Sequence, residues 1–346
     1  MYKIILVSIF IFSLHESYTQ TKKYKIATIG FYNLENLYDT LDDPLKKDDE
    51  FTPNGTKKYI SKVYLDKLDK LSTVISEIAT DVTPDGAAIL GVAEIENRTV
   101  LEDLCKTDKL KSRNYKIVHY DSPDERGVDV AMLYNPKYFK LLASKSITLS
   151  TYHLGGDRPT RDILWVTGLL DGDTVHLFIN HWPSRGGGEE LTAPFRNEGG
   201  RICKHYIDSL IKIDANAKCL IMGDLNDNPT NPSCSKILSA VAKPEKLKVT
   251  QNMLNPWINF YKKGTGTLAY QDVWSLFDQI ILSYGFVKAD SGYLFKQAFI
   301  YSKPYMVTKT GRYKGYPLRT YDFDNYNGGY SDHFPTYIFV LKEVKE

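Results

Sequence analysis

The sequence lacks a long apolar segment and an excess of either charge. Its first apolar stretch, residues 4–14, is shorter than the roughly 20 apolar residues that a membrane-spanning helix needs, and no later stretch is longer. The 44 Lys and Arg residues balance 42 Asp and Glu residues, for a formal net charge of +2. This balance excludes bulk basic charge as the basis for binding nucleic acid, although a local basic cleft is compatible with it.

Cysteine is also scarce, and the four that occur are Cys105, Cys203, Cys219 and Cys234. Their spacing lacks the closely paired ligands of a structural zinc site. Four cysteines allow three pairings, and the sequence does not choose among these or between one disulfide and none. A chain of this length can form a hydrophobic core without disulfides, so the fold does not require them.

The amino terminus has the three-part pattern of a secretory signal peptide. A lysine precedes the apolar residues 4–14, and Ser17 and Thr19 supply small side chains before a cleavage point. The sequence therefore predicts a signal peptide over residues 1–19 and one domain over residues 20–346. We expect the protein to be secreted or periplasmic, without a stable membrane anchor.

Apolar periodicity predicts a mixed α/β fold, because strand patterns alternate with a few long helical patterns. The predicted strands are residues 24–32, 87–95, 115–120, 128–134, 141–150, 163–170, 175–180, 218–222, 277–283 and 336–341. The predicted helices are residues 59–80 and 189–213, and residues 171–173 (Asp-Gly-Asp) form a hairpin turn.

One long segment, residues 303–335, shows neither period and is rich in glycine, proline and tyrosine. Its tyrosines are interleaved with Arg312, Lys314 and Arg319. Long segments without regular structure inside compact domains are often functional loops. We therefore predict a substrate rim here, with a solvated loop as the alternative.

Polar side chains follow or interrupt many of the predicted strands. They are Asn33, Glu35, Glu94, Asn180, His181, Asp224, Asn226, Asp278, Asp332 and His333. Because carboxylates are rarely buried without partners, so many at strand ends predict convergence on one centre. Carboxylate and amide oxygens suit a hard divalent cation, and two histidines add acid–base capacity near neutral pH. The combination predicts metal-assisted hydrolysis of a phosphate ester.

The polar residues lie in six motifs that occur in the order typical of one family. The motifs are residues 31–38 (Phe-Tyr-Asn-Leu-Glu-Asn-Leu-Tyr), 91–97 (Gly-Val-Ala-Glu-Ile-Glu-Asn), 180–185 (Asn-His-Trp-Pro-Ser-Arg), 222–227 (Met-Gly-Asp-Leu-Asn-Asp), 277–283 (Phe-Asp-Gln-Ile-Ile-Leu-Ser) and 330–335 (Tyr-Ser-Asp-His-Phe-Pro). The chain thus resembles the endonuclease/exonuclease/phosphatase superfamily, which has the deoxyribonuclease I-like fold. The resemblance implies a four-layered α/β/β/α sandwich of two packed mixed sheets, with the site at one edge.

The resemblance also implies a metal-binding side of the site. Glu94 resembles the principal metal ligand of the family, and Asn33 and Glu35 stand beside it. Asp332 resembles a further carboxylate on the metal side. The implied cofactor is Mg²⁺, with Mn²⁺ or Ca²⁺ as alternatives, and both one and two ions are compatible with the motifs.

Five further residues resemble the catalytic groups of the family. His181 resembles the histidine that contacts the scissile phosphate. Asp224 and Asn226 resemble the pair that orients the attacking water or holds a second cation. Asp278 resembles the carboxylate that hydrogen-bonds the last histidine, here His333. The motifs leave the general base open between Asp224 and His333.

Arginines that bind phosphate have no fixed motif in this family. Arg161 precedes a predicted strand at a suitable point, and Arg319 lies on the predicted rim. Arg185 adjoins three glycines, whose backbone N–H groups can approach an anion. We predict that these three arginines bind substrate.

Three functions fit these residues, and the sequence favours an exported, metal-dependent nuclease of DNA or RNA. The second function is the same chemistry on a sugar, inositol or phospholipid phosphoester, which the near-neutral charge supports. The third is a non-catalytic secreted binding protein, which the complete set of polar residues argues against. The expected partner is therefore nucleic acid or a small phosphoester, and no obligate protein partner is evident. Since substrate choice depends on loops, the motifs alone do not separate the first two functions.

Overall fold

The computed structural model describes residues 22–344, and the predicted signal peptide lies outside that range. Within it the strands are β1 (Tyr24–Leu37), β2 (Ile89–Ile95), β3 (Lys116–His119), β4 (Asp129–Tyr134), β5 (Phe139–Ile147), β6 (Ile163–Leu170), β7 (Asp173–His181), β8 (Lys218–Asp224), β9 (Leu268–Tyr270), β10 (Val273–Ser275), β11 (Asp278–Leu282), β12 (Leu294–Ile300), β13 (Tyr321–Asp322), β14 (Asn325–Tyr326) and β15 (Thr336–Glu343). The α-helices are α1 (Ser61–Glu77), α2 (Arg98–Lys106), α3 (Glu189–Ile213), α4 (Trp257–Lys262) and α5 (Gly285–Lys288). In this part of the chain, no helix combines the length and apolar character needed to cross a bilayer.

The longer strands form two sheets. The first has the order β12-β15-β1-β2-β4-β3, and the second has the order β11-β8-β7-β6-β5. In the first sheet β1 and β2 are parallel, and all other neighbouring strands pair antiparallel. In the second sheet β7 and β8 are parallel, and the other pairs are antiparallel. Both sheets are therefore mixed, as the family resemblance implied.

Three apolar clusters divide the protein into four layers. Because successive side chains of a strand point to opposite faces, each central strand contributes to two clusters. In β7, Leu177 belongs to the cluster between the sheets, whereas Phe178 packs in the cluster that contains Ile207 of α3. In β2, Ile89 lies between the sheets and Leu90 packs on the side of α1 and α2. The expected α/β/β/α sandwich is confirmed.

Most of the predicted elements are present, with ends that differ by a few residues. α3 spans the predicted residues 189–213, and the predicted turn joins β6 to β7 with positive φ angles at Asp171 and Gly172. The sequence patterns did not predict α2, α4, α5, β12 or the β9–β10 and β13–β14 hairpins, because these elements are short or lie at the edge of a sheet. All four cysteines are free thiols.

Gly223 allows β7 and β8 to pair closely beside the polar ends of both strands. It lies opposite Asn180, and a Cβ atom at Gly223 would lie 2.1 Å from the backbone oxygen of Asn180. The backbone cannot yield as a flexible side chain would, so we expect Gly223→Ala to lower the free energy of unfolding by about 1–3 kcal/mol. Urea unfolding measures this change.

The control is Gly186→Ala, since among residues 22–344 a Cβ atom at Gly186 meets only the Ser184 hydroxyl, at 3.4 Å. We expect the control to change the unfolding free energy by less than about 0.5 kcal/mol. Equal stability of the two variants would contradict the close approach of the two strands.

Candidate active site

The second sheet places three polar residues side by side at one edge. His181 and Asp224 are the last residues of the parallel strands β7 and β8 and lie opposite each other. Asp278, the first residue of β11, pairs with Asp224 on its other side. Neighbouring strands are about 4.8 Å apart, so the pairing brings these three buried side chains together.

The first sheet contributes residues from an irregular part of β1 and β2. Their pairing shifts between Asn33 and Leu37, and the backbone adopts positive φ angles at Glu35, Asn36 and Glu94. Such angles are strained for side-chain-bearing residues and are concentrated at functional sites. The irregularity lets the Asn36 backbone N–H donate to Glu94 Oε2 at 3.0 Å. The Glu94 carboxylate is thereby fixed at the sheet edge.

Glu94, His181 and Asp224 form a group whose candidate ligand atoms all lie within 4.8 Å of one another. His181 Nε2 lies 3.7 Å from Glu94 Oε1 and 3.7 Å from Asp224 Oδ2. Burial lowers the pKa of His181 well below its ordinary value, and nearby arginines and His333 lower it further. A neutral imidazole beside two carboxylates is a donor set that fits a divalent cation. Asn33 Nδ2 donates to Asp224 Oδ2 at 3.1 Å and joins this group to the first sheet.

His333 and Asp278 form a buried pair next to this group. The ring Nδ1 of His333 lies 2.7 Å from Asp278 Oδ2, and Nε2 lies 3.8 Å from Asp224 Oδ2. Burial alone lowers the pKa of His333, but the carboxylates of Asp278 and Asp224 outweigh it and hold this pKa well above its ordinary value. Burial also raises the pKa of Asp224 to about 7, which Asp278 favours and His333 opposes. The pair therefore holds a charged imidazole beside Asp224.

Asn226 braces Asp224 from the loop that follows β8. Its backbone N–H donates to Asp224 Oδ1 at 2.9 Å, and its side-chain Nδ2 donates to the Trp182 carbonyl at 2.9 Å. Asn226 has a positive φ angle, and this tight backbone conformation lets its N–H reach back to the carboxylate of Asp224, two positions earlier. Asn226 thus fixes the orientation of Asp224.

The other two predicted metal-side residues lie in a second polar group. Glu35 Oε2 accepts hydrogen bonds from the backbone N–H of Thr320 at 2.7 Å and from its hydroxyl at 2.8 Å. The buried Lys67 also donates to the Thr320 hydroxyl, and Arg319 Nη2 donates to Asp332 Oδ2 at 2.7 Å. Burial raises the pKa of Glu35 to about 7, Asp332 raises it further, and Lys67 opposes the rise. The structure does not bring the Glu35 carboxylate into the group of three, and its role as a metal ligand stays a prediction.

The three predicted substrate-binding arginines all bond to the protein. Arg161 is buried, and its terminal nitrogens donate to Asp124 and to the Trp182 carbonyl. Arg185 donates to the Asn226 carbonyl and stacks over Phe277. Arg319 is half-exposed and pairs with Asp332, as above. Their roles in substrate binding stay predictions.

Sequence reasoning missed three charged residues around this site: Lys67, Asp124 and Arg126. Lys67 carried a signal, because it interrupts the apolar stripe of α1 between Val63 and Leu71 and is nevertheless buried. Asp124 and Arg126 lie in a loop outside the six motifs, and no sequence pattern indicated a role for them.

The profile of the Endonuclease/Exonuclease/phosphatase family matches residues 28–342. The chain belongs to this family. Its enzymes are phosphoric ester hydrolases that use divalent metals, and this chain is an enzyme of that class. The expected resemblance is therefore confirmed, whereas a search of curated proteins finds no match.

Solved structures of other family members share the fold. A D. rerio TDP2 humanized by 14 mutations has 13% sequence identity and a TM-score of 0.55, over 91% of this chain and 98% of that one. A family protein from Bacteroides thetaiotaomicron has 15% identity and a TM-score of 0.55, over 94% and 98%. A mannosyl-6-phosphatase from the same organism has 16% identity and a TM-score of 0.53, over 92% and 100%. At these identities the likeness shows the fold alone.

Replacing Glu94 tests the metal-binding assignment of this family member. Glu94→Gln keeps the shape of the side chain but removes the charge that attracts a cation. We expect the metal concentration for half-maximal activity to rise at least about tenfold, in a titration with Mg²⁺. The control is Glu102→Gln on α2, a glutamate that pairs with the exposed Arg98. An unchanged titration of Glu94→Gln would remove this residue from the metal site.

Replacing Asp278 tests the electrostatic origin of the charged His333. Without the carboxylate, the imidazolium loses its hydrogen-bonded counter-charge, so we expect Asp278→Asn to lower the pKa of His333. The pH dependence of the His333 ring protons in NMR of the metal-free protein measures this pKa. Asp290→Asn, on an exposed residue, is the control. A pKa that stays the same or rises would contradict the pairing.

Proposed function

We propose that this family member is an exported phosphodiesterase that cleaves DNA or RNA with the help of a divalent metal. The observation that carries the proposal is the buried His333–Asp278 pair, directed at Asp224 in the group that also holds Glu94 and His181. A carboxylate acceptor, a charged imidazole and a cation-binding set are the groups that phosphodiester hydrolysis needs in one place.

The residues support a division of roles in this reaction. Glu94 and His181 would hold the cation, which when bound neutralises charge on the phosphoryl oxygens. Asp224, which lies beside this pair, would accept a proton from the attacking water. Asp278 keeps His333 charged, so Nε2 of His333 donates a hydrogen bond to the oxygen on which negative charge develops. Of the two candidates that the motifs left open, the charged state of His333 favours Asp224 as the base.

A chain of aromatic rings beside His333 supports a nucleic-acid substrate. Phe334 lies parallel to Trp274 at 6.2 Å between ring centroids, and Trp274 lies 6.1 Å from Tyr316. Tyr316 lies 5.7 Å from Tyr313, and the Arg312 guanidinium lies over the Tyr313 ring. Aromatic faces with adjacent arginines bind single-stranded nucleic acid by stacking bases and holding phosphates. Phe334 is buried, so the half-buried Tyr313 and Tyr316 and the exposed Arg312 are the groups that support a substrate rim over residues 303–335.

A small or lipid phosphoester is the second candidate substrate. The net charge of +2 does not provide the basic surface that polynucleotide binders usually have. The β9–β10 hairpin also exposes Tyr270 and Val273, which are side chains that a lipid surface could contact. Because of these two observations, the activity assay includes small phosphoesters and phospholipids as substrates.

Export is supported by the amino-terminal sequence pattern, because residues 4–14 and the small residues after them match a cleavable leader. The test is the amino-terminal sequence of the protein recovered from the extracellular or periplasmic fraction. A start near residue 20 supports export, whereas full-length protein confined to the cytoplasm contradicts it.

The activity is tested on residues 20–346 with Mg²⁺, Mn²⁺, Ca²⁺ or EDTA. The substrates are plasmid DNA, single-stranded DNA, RNA, bis-p-nitrophenyl phosphate, p-nitrophenyl phosphate and phospholipid vesicles, with His333→Ala as the inactive control. Cleavage of a polynucleotide that EDTA and the variant both abolish supports the nuclease. Hydrolysis of small or lipid esters alone overturns the nucleic-acid assignment and keeps the phosphoesterase chemistry.

The rim is tested by Arg312→Ala, because Arg319 also neutralises Asp332 and would disturb the site itself. We expect the KM for single-stranded DNA to rise about three- to tenfold and the KM for bis-p-nitrophenyl phosphate to stay unchanged. The control is Lys288→Ala, an exposed lysine in α5. Equal effects on the two substrates would mean that Arg312 does not contact a polynucleotide.

A further inference from the structure

Arg126 lies in the loop before β4, and its backbone is anchored to residues around the site. The Tyr38 hydroxyl donates to the Arg126 carbonyl at 2.8 Å. Lys46 Nζ donates to the carbonyls of Ser122 at 3.1 Å and Asp124 at 2.9 Å. Tyr38 directly follows β1, so these bonds fix the loop relative to the strand end that carries Asn33.

The carboxylate of Asp124 bridges two arginines. Its Oδ2 accepts a hydrogen bond from Arg161 Nη1 at 3.1 Å, and its Oδ1 lies 3.5 Å from Arg126 Nε. Asp124 Oδ1 also accepts the Arg126 backbone N–H at 3.0 Å. Two guanidinium groups on one buried carboxylate leave one positive charge uncompensated within this cluster.

The two arginines differ in which donors are free. Arg161 is buried, and its Nη2 donates at 2.8 Å to the Trp182 carbonyl, which also accepts from Asn226. The Arg126 side chain is 47% exposed, and its terminal nitrogens donate no hydrogen bond to any part of residues 22–344. Arg161 therefore braces the catalytic loop, while the donors of Arg126 remain available to a ligand.

The charge of Arg126 acts on the metal-binding side of the site. Burial lowers the pKa of Arg126, but the carboxylates of Glu94 and Asp124 outweigh burial and raise it overall. Arg126 is also joined through Asp124 to Arg161, which donates to the carbonyl of Trp182, the residue that follows His181. These contacts connect Arg126 to the residues that would surround a bound phosphate.

We propose that Arg126 binds the non-bridging oxygens of the phosphate that is hydrolysed, as the substrate-facing member of the arginine pair bridged by Asp124. The planar fork of a guanidinium matches two phosphate oxygens, and its fixed charge stabilises the negative charge of the transition state. This assignment rests on the proposed phosphoesterase function but not on a polynucleotide substrate.

The test compares Arg126→Met and Arg126→Lys with Arg201→Met, an exposed arginine on α3. The readouts are the inhibition constant of inorganic phosphate, the kcat/KM for bis-p-nitrophenyl phosphate and the half-saturating Mg²⁺ concentration. Calorimetry of phosphate binding to the Mg²⁺-loaded protein gives the same comparison without turnover. We expect Arg126→Met to weaken phosphate binding and lower kcat/KM about tenfold each, with partial recovery in Arg126→Lys and no change in the control.

The Mg²⁺ titration separates this role from damage to the site. Removing a positive charge beside Glu94 leaves Mg²⁺ binding unchanged or tighter, whereas disruption of the loop weakens it. Unchanged phosphate binding, or parallel weakening of Mg²⁺ and phosphate, would overturn the assignment. If the wild-type protein cleaves no polynucleotide but binds phosphate through Arg126, the nuclease proposal fails and the assignment of Arg126 stands.

Discussion

One buried carboxylate, that of Asp224, links the two sheets at the edge where the polar residues meet. It accepts a hydrogen bond from Asn33 of the first sheet and another from the backbone of Asn226. The same carboxylate lies 3.7 Å from His181 and 3.8 Å from His333. The distances within the site therefore depend on how the sheets pack, because neither sheet contains a complete set. Within the second sheet, Gly223 separately allows β8 to approach β7 immediately before Asp224.

Burying so many carboxylates is unfavourable unless each has a partner, and the fold supplies the partners from distant segments. His333 faces Asp278 and Asp224, while Lys67 and Arg319 lie beside Glu35 and Asp332. Even so, burial raises the pKa values of Asp224 and Glu35 to about 7. The negative charge of the buried carboxylates is thus incompletely compensated before a cation binds, and a divalent ion near Asp224 would complete the compensation. An apolar replacement of Lys67 would leave Glu35 with less opposing charge in the same low-dielectric setting.

Sequence patterns predicted the ends of β7 and β8 well, because the polar residues proposed for the site directly follow an apolar segment in both strands. His181 and Asp224 end β7 and β8, and the apolar period fixes both strands within a few residues. The extension of β1 to Leu37 was not predictable in this way, since the positive φ angles at Glu35 and Asn36 interrupt the alternation of side chains. The orientation of Glu35 towards Thr320 depends on a contact 285 positions along the chain, which no local pattern encodes. Arg126 was missed for a related reason, because its importance comes from sharing Asp124 with Arg161.

In this family member the residues proposed for catalysis and those proposed for substrate choice lie in different parts of the fold, and specific hydrogen bonds join the two sets. The proposed catalytic groups lie at strand ends or in the loop residues next to them, where packing restricts their movement. Two loops would meet the substrate. The first carries Arg126, which is proposed to bind the phosphate that is hydrolysed, and the second carries the tyrosines of residues 303–335, which would meet the rest of the substrate. Each loop is tied back to the strand ends, the first through Asp124, Arg161 and the Trp182 carbonyl, and the second through Thr320 and Glu35. A substitution at the tip of the second loop would therefore alter substrate preference without moving Asp224, whereas one that breaks these bonds would change substrate preference and the position of the site residues together.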